Sequence, residues 1–126
     1  LRAADRPRYM EWMINLAAKI HSADLRLFQP LRFAGSADMA AAVEDQARAE
    51  ITLRFGKLAA AVGEGPFLLG ERLSAADIYA AMLIGWAPDV EALLKQHAPL
   101  ARLYNGVAAR PAIAPVWHRN GMIAAR

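Results

Sequence analysis

Three histidines, His21, His97 and His118, and one Ser-x-x-Asp pair, Ser74 with Asp77, are the residues whose type and spacing invite a chemical reading. Histidine exchanges protons near neutrality and is the commonest metal ligand. The three stand far apart, with no pair at i, i+4 and no H-E-x-x-H, so their spacing builds no zinc site and no metal is expected. The chain has no cysteine, which removes disulfides, thiolate metal sites and a cysteine nucleophile together. Between Gly63 and Gly70 there are glycines but neither the lysine of a phosphate loop nor a strand before it. Serine, histidine and aspartate all occur, yet no nucleophile elbow assembles them. No catalytic residue is assigned.

Two patterns remain. Ser74 and Asp77 read as a capping box, in which the serine hydroxyl meets the amide at the third helical position and the carboxyl group reaches back to the cap amide. Leu73 and Ile78 flank the box as a hydrophobic staple. Ile14, Ala17, His21, Leu25 and Phe28 fall near one another on a helix face, so an imidazole lies within an apolar stripe, as in a cleft wall. By itself the same pattern equally describes a structural histidine or an interdomain contact, and Phe28 and Trp86 taken alone read as core packing. Tyr79, Tyr104 and Trp117 are expected in the core.

The elements that must position these residues are helical. Met10, Met13, Ile14, Ala17, Ile20, Leu25 and Phe28 recur at helical spacing from Pro7 to Phe28, predicting one long first helix. Ser36 is the expected cap of a second, which runs to about Val62 with Met39, Val43, Ala47, Ile51, Phe55, Leu58 and Val62 inward. Pro66–Leu73 reads as a buried loop bounded by glycine. A third helix follows from Ala75 to about Trp86, apolar nearly all round and so expected to be enclosed by its neighbours. Asp89 to Gln96 offers one or two turns, Pro99 opens a further helix, and Pro111 opens the last, which closes near Gly121. No period-two pattern and no repeat is found, so the fold class is all-α, a multi-helix bundle.

A length of 126 residues suits one domain with one core, and 56% hydrophobic against 21% charged residues is a globular rather than a disordered composition. The net charge of +3 comes from arginines scattered along the chain, which is not the dense basic run of a nucleic-acid binder. The most apolar stretch, Ile78 to Pro88, is about half of the ~20 residues that span a bilayer, so no membrane partner is expected. Residues 1–7 carry no apolar run and read as the remainder of an interdomain linker, with the helical domain over 8–126.

The run RYMEWMINLAAKIHSADLRLFQP, Arg8 to Pro30, resembles the first helix of the C-terminal domain of bacterial beta-class glutathione transferases, through the spacing of Trp12, His21, Leu27, Phe28 and Pro30. FLLGERLSAADIYAAMLIGWAP, Phe67 to Pro88, resembles that family's most recognisable helical segment, and Leu103 to Gly121, with Arg110-Pro111, its closing helices. The likeness covers nearly the whole chain. It departs from the class where members often carry lysine after the histidine and an aromatic two residues further on; here Ser22 and Asp24 stand there, removing a charge partner for glutathione and adding a negative charge near the site.

This resemblance implies a bundle of the glutathione transferase C-terminal domain type, cytoplasmic, forming the hydrophobic-substrate side of a cleft in which glutathione is conjugated to a small apolar electrophile. It implies glutathione as co-substrate, His21 facing glutathione, Phe28 and Trp86 lining the apolar pocket, and a homodimer through the first two helices, around 9–28 and 37–62. The thioredoxin-like half that activates glutathione in such detoxification enzymes is expected to be absent, and these residues alone are expected to be inactive. A helical protein–protein interaction module without catalysis is the alternative.

Overall fold

A computed structural model describes residues 1–122. Pro7 lies in the first turn of α1, Arg6–Asn15, where a missing N–H costs no intrahelical bond. The helical path then widens into a π-helical stretch, Leu16–His21, and continues as α2, Ser22–Phe28. Pro30 starts a single 3-10 turn, Pro30–Arg32. α3 spans Ala37–Val62, and its cap is Ser36 as expected by position, but the Ser36 side chain makes no capping hydrogen bond. At the far end Gly63 turns the chain with φ of 62°, a conformation glycine adopts without a side-chain penalty. Arg8 and Arg102 donate to the carbonyls of Ala61 and Gly63 there, at the end of the helix where carbonyls lack intrahelical partners.

The loop that follows is buried at Phe67 and Leu68. Phe67 and Gly70 exchange backbone hydrogen bonds of 3.1 Å in both directions, an isolated bridge rather than a strand, with Gly70 at φ of 81°. α4, Ala75–Gly85, starts at the expected Ser74–Asp77 capping box. The Asp77 carboxyl accepts from the Ser74 amide and hydroxyl, each at 2.7 Å, and also from the Leu68 amide at 2.7 Å. One fully buried side chain therefore starts a helix and fastens the preceding loop. α5, Val90–Gln96, is capped by Asp89, and α6, Ala98–Ala108, has Pro99 in its first turn. The last helix, α7, Ala114–Arg119, starts at Ala114 with Pro115 in its first turn, and not at Pro111. The amides of Ile113 and Ala114 both bond back to the Arg110 carbonyl, so the residues after Arg110 are taken up by a turn.

α2 packs on α3, and α6 packs on both α3 and α4. Leu16, Ile20, Phe55, Leu58, Leu83, Ile84, Leu100, Leu103, Tyr104 and Val107 form the fully buried centre. Of the stripe expected on α3, Ala47, Ile51, Phe55, Leu58 and Val62 are buried, whereas Met39 is exposed near its start. The first helix departs further from expectation. Leu16, Ile20, Ala23 and Leu27 face the core, while Met10, Ile14, Leu25 and Phe28 are exposed. A π turn holds more residues than an α turn, so one 3.6-residue wheel does not hold across Leu16–His21. α4 is not enclosed all round either: Ile78 and Trp86 are exposed, and Tyr79 and Met82 are half-buried. Among the described residues there is no strand, and no helix is long and apolar enough to cross a membrane.

Candidate functional site

His21 closes the π-helical stretch and meets the open side of α4. Its Nδ1 lies 2.8 Å from the Tyr79 hydroxyl, and the two rings stand nearly perpendicular at 87°. Trp86 meets the same imidazole edge-on, with centroids 5.7 Å apart and planes at 69°. The structure thus brings His21 and Trp86 together and adds Tyr79, a half-buried residue where a core one is expected. Tyr79 and Trp86 are seven residues apart, two helical turns, and that spacing was the available sign that they share a face.

Beside this cluster runs a groove of about 460 Å³ between α4 and the α7 region. Ile78, Tyr79, Met82 and Trp86 form one wall, and Val116, Trp117 and Met122 contribute from the other. Its surface is overwhelmingly apolar, with Asn120 as a polar exception. Trp117 is held by its indole N–H, which donates to the Tyr104 hydroxyl at 3.1 Å; those two residues are core, as expected. Met122 lies over Gly85, where a Cβ would come within 2.0 Å of the methionine methyl. Phe28 sits apart, 56% exposed at the end of α2 and not among the groove residues. His97 borders a separate cleft of about 200 Å³ beside α3 and α5, and His118 is exposed on α7.

Asp24 is the feature the residue pattern did not disclose. Its charge is expected near the site, yet the side chain is only 2% exposed, and its two oxygens have no hydrogen-bond partner among the described residues. Desolvation disfavours the ionised form and pushes the carboxyl up from 3.8 to about 7. Tyr79 is raised above its ordinary value by its own burial and then by the charge of Asp24, so the phenol keeps its proton. Among the described residues no group of three His, Cys, Asp or Glu side chains is placed to hold a metal ion.

The family model for the glutathione S-transferase C-terminal domain matches residues 34–117, more than half of the chain, and the chain belongs to that family. A glutathione transferase homolog from Sulfitobacter, solved with bound glutathione, superposes with a TM-score of 0.82 over 97% of this chain and 58% of its own, at 19% identity. BphK, a bacterial glutathione transferase solved as a ternary complex, gives a TM-score of 0.75 over 93% of this chain and 55% of its own, at 26% identity. The chain thus spans a little over half the length of each of these structures. No curated protein matches it.

Proposed function

We propose that this domain forms the electrophile side of the cleft of a bacterial beta-class glutathione transferase, with glutathione activated by a thioredoxin-like domain outside these 126 residues. The observation that carries the reading is the convergence of His21 and Trp86 at the edge of an apolar groove. In this reading His21 contacts glutathione, and Trp86 with Ile78, Met82 and Val116 receives a small apolar electrophile. Burial discriminates weakly between hydrophobic shapes, so the groove suits a range of substrates. Phe28, exposed at the end of α2 and outside the groove, is assigned to the pocket in this reading by the family resemblance alone. Calorimetric titration of glutathione into the chain and into His21→Ala tests the assignment. Heat of binding that the variant loses supports it; no binding to the unaltered chain would place glutathione recognition wholly elsewhere.

A homodimer through the first two helices is part of the same proposal. Met10, Ile14, Phe28, Leu31, Phe33, Met39 and Leu53 are exposed on or beside α1–α3, a concentration of apolar side chains suited to being covered. The same surface also favours the second reading, a helical interaction module without catalysis. Sedimentation at high concentration separates the cases: a clean monomer would sink the dimer.

A further inference from the structure

We infer that Tyr79 is a positioning residue for His21, selecting the imidazole tautomer with its proton on Nε2 and so presenting an N–H donor to an anionic oxygen or sulfur. The contact between His21 Nδ1 and the Tyr79 hydroxyl, at 2.8 Å, joins two groups that can each donate or accept. Two features favour Tyr79 as the donor. Tyr79 is a phenol whose burial opposes loss of its proton, so it retains an O–H to give to Nδ1. The neutral imidazole has one bare nitrogen, and Nδ1 filling that role satisfies the hydroxyl and leaves Nε2 protonated. Trp86 adds a second constraint, since its ring meets the imidazole edge-on and opposes rotation about the His21–Tyr79 axis.

The orientation of a functional histidine is set by the bond its other nitrogen makes, and here that bond reaches from α4 to the π-helical stretch. An Nε2–H so held suits the thiolate or a carboxylate of a thiol peptide. The ligand class rests on the proposed function above; the tautomer does not.

Long-range proton–nitrogen NMR of the ¹⁵N-labelled chain, at a pH well above the imidazole range, tests the tautomer without any ligand. Nδ1 of His21 is expected to resonate as the bare nitrogen and Nε2 as the protonated one. In Tyr79→Phe the Nδ1 resonance is expected to move toward that of a bare nitrogen without a hydrogen bond. Should Tyr79→Phe fail to fold, fluorotyrosine incorporation keeps the ring and strengthens the donor, and the shift then runs the other way. A protonated Nδ1 in the unaltered chain overturns the inference, as does an Nδ1 resonance indifferent to both changes. Glutathione affinity is a separate readout, expected to fall about fivefold in Tyr79→Phe, as for one modest hydrogen bond, and no further when that change is added to His21→Ala. If glutathione fails to bind while the NMR result holds, the assignment of His21 to glutathione fails and the positioning role stands.

Discussion

Replacing Asp24 by asparagine should stabilise the protein by an amount that grows with pH. The folded state holds the Asp24 proton until about pH 7, whereas the free side chain releases it near 3.8. Each tenfold difference in proton affinity is worth about 1.4 kcal/mol, so the full interval corresponds to about 4 kcal/mol. The sign follows from proton counting. Between these values the folded state binds more protons than the unfolded chain, so the contribution of Asp24 is fully present below about pH 4 and is lost as pH rises to about 7. Asparagine is nearly isosteric with the neutral acid and does not ionise. Urea unfolding of both proteins across this range, followed by circular dichroism, should give a stability difference that widens through the interval and levels off above it. Parallel profiles would refute the argument, because an aspartate that ionises equally easily in both states carries no desolvation penalty.

Three further changes test other parts of the structure. Asp77→Ala removes three hydrogen bonds and strands the Leu68 amide, so a loss of about 3–5 kcal/mol is expected, read as a fall in Tm of about 10–20 °C. Ser74→Ala should lose only about 1 kcal/mol by the same measurement, since the carboxyl keeps both amides. Gly85→Ala should displace the Met122 side chain, which is flexible, with little loss of stability. A methyl-labelled NMR spectrum should show the Met122 resonance shifted while those of core methyls stay in place.

Local chemistry was legible at several helix ends, though not at Pro111, which lies in a turn before α7. Ser74 and Asp77 announced the start of α4, and Gly63 and Pro99 punctuated the chain where the structure also turns or begins a helix. The third bond of Asp77, to Leu68, was not legible, because it depends on how the loop folds back over the helix start. In the first helix the apolar residues were recognised and their facing was not, since nothing in the residue types reveals a π turn. Asp24 shows the same limit: its type marks a charge, and only the packing of α2 on its neighbours buries it. The pairing of His21 with Trp86 joins segments on different helices, and resemblance rather than periodicity placed both at one site. Tyr79 escaped notice because α4 is apolar on nearly every side, which hid the one hydroxyl that matters to the histidine.

A π-helical stretch also holds slack in chain length. Leu16–His21 accommodates one residue more than a regular α-helix needs, so losing Ala18, whose side chain is exposed, should convert it to ordinary helix while leaving Arg6–Asn15 and Ser22–Phe28 seated. α3 has no such reserve. Losing Ala49, also exposed, would turn Ile51, Phe55, Leu58 and Val62 by about 100° from the core they fill. Two single-residue deletions at alanines of similar exposure should thus have opposite fates, one folding and the other not.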